Sequence, residues 1–173
     1  MKKIKVMSGA RAKCHATLLQ NQEIIHEEDG EVIFKDNGIS GIVIMNLSGY
    51  YQHLKSKANV VVKLDFSYGK DYKSYESVIQ PKILSYLKEN QINIHSLYIP
   101  VSGVYDYEFA QVCTGGIDLS MLNDDLSLKN DKNIYAMGEV LDVDAICGGY
   151  NLLFAFSSSL YVFKEIKNEI SSK

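Results

Sequence analysis

Apolar and polar positions alternate through ARAKCHATLL near the start of the chain. Ala12, Cys14, Ala16 and Leu18 fall on one face, and Arg11, Lys13, His15 and Thr17 on the other. A period of two predicts a half-buried strand. The segments QEIIH and EVIF flank EEDG, whose Asp29-Gly30 pair is a hairpin signal. The first third therefore reads as an antiparallel meander with one wet face. KDNGISG follows as a loop, with Asn37-Gly38 and Gly41 expected to supply positive-φ positions. In IVIMNLSGYYQHLKS, Ile42, Met45, Tyr50 and Leu54 lie partly at helical spacing, which predicts a helix with Ser40 as its N-cap.

NVVVKLDF is a β-branched run and predicts a strand. YESVIQPKILSYLKE places Ile79, Ile83, Leu84 and Leu87 on one face. Pro81 would cost about 3 kcal/mol deep inside a helix, so the helix should start near Gln80 with Pro81 in its first turn. Residues 94–107 read as strand or loop. FAQVCTGGIDL reads as a buried strand running into a glycine turn, NIYAM as a short strand ending at Gly138, and residues 148–167 as a final helix. The strongest composition boundary is a soft one near residue 105.

Composition narrows the function without defining it. The chain has 173 residues, 46% hydrophobic and 23% charged, with a net charge of -3. That is enough chain for a real core, and the charge argues against nucleic acid as the main partner. Three cysteines at wide spacing (Cys14, Cys113, Cys147) suit a reducing cytoplasm better than a disulfide framework. The four histidines are scattered and neither CxxC nor HExxH occurs, so no metal site is expected. MKKIKVMSGARAK lacks a long apolar core after its lysines, so a signal peptide is not expected, and no apolar stretch approaches the ~20 residues of a membrane span.

The most informative stretch is GEVLDVDAICGGYNLLFAFSSSLYVF, residues 138–163. Glu139, Asp142 and Asp144 precede a glycine pair, and a largely apolar helical pattern follows. Free N–H groups at a helix start carry roughly half a positive charge, and glycine lets a ligand approach the main chain closely. A carboxylate just past a strand end can accept hydrogen bonds from ligand hydroxyls. A glycine turn beside a solvated acidic loop fits the same pattern. Cys113 and Cys147, each before a glycine turn, suit either a dithiol or two structural cysteines. Tyr50, Tyr51, Tyr105 and Tyr107 suit either a substrate cleft or a sheet edge. Cys14 and His15 point to opposite faces of one strand and make a poor nucleophilic pair.

GEVLDVDAICGGYNLLFAFSSS, FAQVCTGGIDL and FKDNGISGIVIMNLS together resemble the BaiN-like NAD(P)/FAD-dependent oxidoreductases. In those flavoproteins a β-rich insert domain interrupts a dinucleotide-type FAD domain. The resemblance covers nearly the whole chain, with the three stretches in the family's order. It implies an α+β fold: an antiparallel β-barrel-like insert domain over residues 1–108, then a short βα segment of a Rossmann-type FAD domain over 109–173. It implies FAD as cofactor. Gly138 and Glu139 would lie beside the ribityl chain, and Asp142 in the loop passing the flavin. Gly148, Gly149, Tyr150 and Asn151 would open the helix facing the pyrimidine edge, and Thr114, Gly115 and Gly116 would form a glycine turn at the same cleft. No catalytic acid or base is implied.

This sequence departs from the family in three ways, one being that the stretch between LDF and FAQVC is shorter than the helical section usual there. It contains no GxGxxG, the turn that cradles the diphosphate. Relatives also tend to have glycine and alanine after the serine run, where this chain has Leu160, Phe163 and Lys164. Three accounts remain open: a degenerate, non-catalytic relative; one half of a split flavoprotein whose nucleotide-binding half is another chain; or a fragment of an enzyme. The first account leaves a module stable alone, a homodimer through the apolar face of residues 152–163, or a module that binds a protein partner.

Overall fold

The computed structural model describes residues 4–67 and 77–171. Tyr75 and Glu76, which open the YESVIQPKILSYLKE segment, lie outside the described residues. The chain divides into two compact units, Met1–Val104 and Tyr105–Lys173.

The first unit is built on a five-stranded antiparallel sheet, curled into a half-barrel. Its strands are β1 (Arg11–Gln20), β2 (Glu23–Lys35), β3 (Gly38–Ser40), β4 (Val60–Asp65) and β5 (Leu97–Pro100), in the order β3-β2-β1-β4-β5. Two helices, α1 (Ile42–His53) and α2 (Pro81–Glu89), complete it. The period-two reading of β1 holds: Ala12, Cys14, Ala16 and Leu18 are all buried. They share one core with Val32 and Phe34 of β2, Val43 and Leu47 of α1, and Ile83 and Leu87 of α2. Fully burying one large apolar side chain contributes ~1.5–3 kcal/mol, so this core is the main source of order in the unit.

The hairpin does not turn at Asp29-Gly30. β2 runs unbroken through both residues, with Gly30 opposite Cys14 and Asp29 opposite His15. The turn is Asn21-Gln22, at φ 51° and 72°. Two consecutive positive-φ residues match the right-handed strand twist, and Asn is among the residues that tolerate them. Gly30 serves another purpose. A Cβ there would stand 2.8 Å from the Val43 Cβ, so its bare backbone lets α1 lie close on the sheet.

Three details around α1 also differ from expectation. Neither Asn37 nor Gly38 is left-handed; the connection turns at Asp36-Asn37, and only Gly41 has positive φ, at 106°. Ser40 is not the N-cap, because it pairs with Ile33 in β3; the cap is Gly41, with no side-chain bond. A Cβ on Gly41 would lie 2.2 Å from the Glu31 carbonyl oxygen, which excludes any other residue without rearrangement. The buried face of α1 is Val43, Asn46, Leu47 and Tyr51, whereas Ile42 is mostly exposed. Lys57 closes the helix by donating to the carbonyls of Tyr51, Gln52 and Leu54, where a cation complements the dipole. α2 begins at Pro81 with Gln80 as N-cap, as its sequence requires.

The second unit has a two-stranded sheet of β6 (Ser127–Leu128) and β7 (Asp131–Tyr135), and the long helix α3 (Tyr150–Ser171). FAQVCTGGIDL is not a buried strand. Residues 107–109 form a single 3-10 turn, Phe109 is largely exposed, and the only strand-like contact is a bridge from Ile117 to Leu141. An apolar run of that length does not distinguish a strand from a loop, and its glycine pair prevails.

Candidate functional site

All ten residues nominated by the sequence lie in the second unit. Short-range hydrogen bonds tie most of them into one framework. The Ile117 amide donates to the Val140 carbonyl at 2.9 Å, and the Asp142 amide to the Ile117 carbonyl at 3.0 Å. The Gly115 amide donates to Asp142 Oδ1 at 3.0 Å. Gly116 sits so close to this loop that a Cβ would fall 2.6 Å from the Val140 oxygen and 2.9 Å from the Asp142 nitrogen. Thr114–Gly116 and residues 140–142 are thus held against one another, and the Asp142 carboxylate serves as the brace between them.

Gly138 is buried and left-handed, and its amide donates to Ser158 Oγ at 3.0 Å. The hydroxyl in turn donates to the Phe154 carbonyl at 2.8 Å. The Ser158 hydroxyl therefore fixes the glycine on α3, a role the sequence alone did not single out. The Asn151 side chain grips Ala145 from both sides, accepting from its amide at 2.9 Å and donating to its carbonyl at 3.1 Å. The 142–149 loop is clasped in this way to the first turn of α3.

Gly149 is open, whereas a Cβ on Gly148 would stand 3.3 Å from the Tyr150 ring. Gly148 and Gly149 have φ 140° and 90°, and no outside atom lies within 4 Å of where a Gly149 Cβ would stand. The first α3 amide bonded inside this helix start is that of Leu153, to the Gly149 carbonyl at 2.9 Å. The preceding amides have no acceptor within the helix and carry its partial positive charge. Gly149, Tyr150, Thr114, Gly115 and Glu139 are exposed. What the arrangement offers chemically is a set of backbone donors beside bare glycine backbone.

The remaining candidates take ordinary places. Cys14 is buried, and burial pushes its thiol up to about 12, so it is no nucleophile. Cys113 and Cys147 are half-buried thiols outside any disulfide. Tyr51 belongs to the core, Tyr50 stacks on His26 with ring centroids 3.9 Å apart, and Tyr105 and Tyr107 are exposed. Among the described residues no cluster of His, Cys, Asp or Glu has the geometry to hold a metal, and no helix is long and apolar enough to cross a membrane. On the solvent face of β1, His15 Nδ1 lies 2.7 Å from Asp29 and Nε2 3.5 Å from Glu27. The hydrogen bond that this imidazole donates to the Asp29 carboxylate holds it above its ordinary pKa. Burial pushes the nearby Asp65 carboxyl up, but bonds from Ser67 and the charge of His95 bring it below its ordinary value.

Asp65–Ser67, Asp118–Ser120, Asp125–Ser127 and Asp131–Asn133 each pair an aspartate with the backbone amide two residues on. The D-x-S/N spacing is visible in the sequence and marks these turns.

The fold identifies the class of domain. Residues 1–111 match the family described as the HI0933-like protein barrel and H2TH domain. The chain belongs to this family, which the resemblance to BaiN-like flavoproteins had pointed to. It is 22% identical over 193 aligned residues to a 3-dehydro-bile acid delta(4,6)-reductase of Clostridium scindens, covering 87% of this chain and 47% of that protein. It is 23% identical over 161 aligned residues to a ribosomal RNA dihydrouridine synthase of Haemophilus influenzae, covering 75% of this chain and 40% of that protein. The chain thus spans less than half the length of these curated relatives.

Proposed function

We propose that residues 109–173 supply the ring-side wall of an FAD site, completed by a nucleotide-gripping part outside this sequence. Residues 1–108 then form the insert-type domain. The completed site would transfer hydride from NAD(P)H to an acceptor, as befits relatives named a reductase and a dihydrouridine synthase. The observation that carries this reading is the open Gly149 start of α3, tied through Asn151 and Asp142 to the Thr114–Gly116 turn, whose Gly115 is also open.

The residues present fit the ring end of a flavin. Space stands open beside Gly115 and Gly149, where any side chain would intrude. Bound flavin supplies the hydride chemistry; the chain supplies position and field. Amides of Tyr150 and Asn151 would donate to the pyrimidine edge, where a helix start favours negative charge. The exposed Glu139 carboxylate would accept from ribityl hydroxyls, and Asp142 and Asn151 would keep the two loops in place. Three thiols outside any disulfide suit a reducing, cytoplasmic setting.

Riboflavin, which carries the ring and ribityl chain without diphosphate, tests this directly. Titrating riboflavin with the purified chain should quench its fluorescence saturably, and Gly149→Val should abolish the effect. Quenching that is absent, or unchanged in Gly149→Val, would sink the reading. The second reading, a non-catalytic relative of the flavoproteins, is favoured by the exposed apolar side chains of α3.

A further inference from the structure

The solvent face of the half-barrel is not uniform. Three cross-strand rows run over it. In the first, Asp29, His15 and Asp65 stand opposite one another. The second row is Glu27, Thr17, Lys63 and Tyr98. The third is apolar: Ile24, Leu19 and Val61. The second and third rows, with His15 and Gln22, line a cleft of about 660 Å³, within the size range of small-molecule sites.

Partners on this face are divided by charge. Each carboxylate in these rows faces an imidazole: Asp29 and Glu27 lie 2.7 and 3.5 Å from His15, and Asp65 lies 3.3 Å from His95. The donors are left over. Neither the Lys63 ammonium nor the Tyr98 hydroxyl has a partner among the described residues. Thr17 is only 5% exposed, and its hydroxyl has no partner there either. Among the described residues no sealed side-chain nitrogen or oxygen lacks a partner, so the Thr17 hydroxyl reaches the surface, at the cleft floor. Only water or a ligand in the cleft can bond it, and a buried hydroxyl left unbonded is costly.

An unpaired ammonium between two unpaired hydroxyls, one row from an apolar tier, is a donor set for an anion with an apolar body. One ammonium balances one negative charge, while Asp29 and Asp65 in the next row repel a second. That selects a monocarboxylate over a phosphate dianion. Rows on one face lie ~7 Å apart along a strand, so the apolar part is a short chain or a ring. A protein surface laid over this face would bury Lys63, Glu27 and His15, the kind of charged groups that interface cores avoid.

We propose that this cleft binds a small organic monocarboxylate, its carboxylate on Lys63, Thr17 and Tyr98 and its apolar body on Leu19, Ile24 and Val61. The cleft lies wholly within the first unit, so the proposal is independent of the flavin reading.

Octanoate titrated into the isotope-labelled full chain and followed by NMR tests this, with octylammonium as the control of opposite charge. Millimolar octanoate should shift amides of β1, β4 and β5 around Thr17, Lys63 and Tyr98 saturably. Octylammonium should bind at least about tenfold more weakly, and Lys63→Met should weaken octanoate by a similar factor, as for a hydrogen bond to a charged group. Thr17→Val, which keeps the side-chain shape, should weaken octanoate about two- to tenfold. The dispersion of each variant's own spectrum confirms that it is folded. No saturable shift, equal binding of the two probes, octanoate binding unchanged in either variant, or shifts confined to α3 would each overturn the proposal. The riboflavin titration reads the second unit and none of these outcomes.

Discussion

The two units achieve order by different means. In the first, Phe34, Leu47, Leu64 and Ile83 are fully buried in one core that joins both helices to the sheet. In the second, the buried apolar cluster is Leu122, Ala136 and Leu141, with Ile117, Leu126, Leu128, Val143 and Phe154 around it. Its loops are held instead by polar clasps: Asp142 on Gly115, Ser158 on Gly138, Asn151 on Ala145. Apolar burial is cooperative and tolerant of detail, whereas a clasp works only at one geometry. The first unit can thus serve as a scaffold, while the second places backbone amides accurately and leaves apolar surface to others.

Substitutions should separate these two modes. Phe34→Ala removes a fully buried ring and should cost about 3–5 kcal/mol in denaturant unfolding of the first unit. Ser158→Ala leaves the buried Gly138 amide without its acceptor. A loss of about 1–3 kcal/mol is expected, with faster amide exchange confined to the second unit. His15→Gln tests the polar face of the sheet. The imidazole is held above its ordinary pKa, so its stabilisation is complete below about pH 6.5 and disappears as pH rises through the higher folded value. The variant should flatten that pH dependence by less than about 1 kcal/mol, since the pair is solvent-screened. Phe109→Ala, at a mostly exposed ring, should change stability by no more than about 0.5 kcal/mol. A large Phe109 effect, or a small Phe34 one, would break the contrast.

The sequence was most legible where burial dominates. β1, β4 and α2 follow from alternation, β-branching and the position of Pro81, because those signals are the packing itself. Glycine was the weak point. Gly30 resembles a turn residue but marks a close helix–sheet approach, which depends on Val43, thirteen residues away in sequence. The true turn, Asn21-Gln22, has no glycine; it is held by bonds between Asn21 and Asn59 that no local pattern reveals. In the second unit the glycine pairs and acidic loop were visible as motifs. The tie between Thr114–Gly116 and Asp142 was not, since it links residues 27 apart through one carboxylate. Ser158 went unnoticed because its hydroxyl matters only once Gly138 has folded back onto α3.

Cys14 gives the molecule an internal clock. Its thiol is sealed in the first unit and held almost wholly protonated by burial, whereas Cys113 and Cys147 are only half-covered. An alkylating reagent should therefore modify the latter two at a rate set by the reagent, and Cys14 only as fast as the half-barrel opens. Labelling time courses followed by mass spectrometry would then report the opening rate of the scaffold in the unmodified protein, without an added probe.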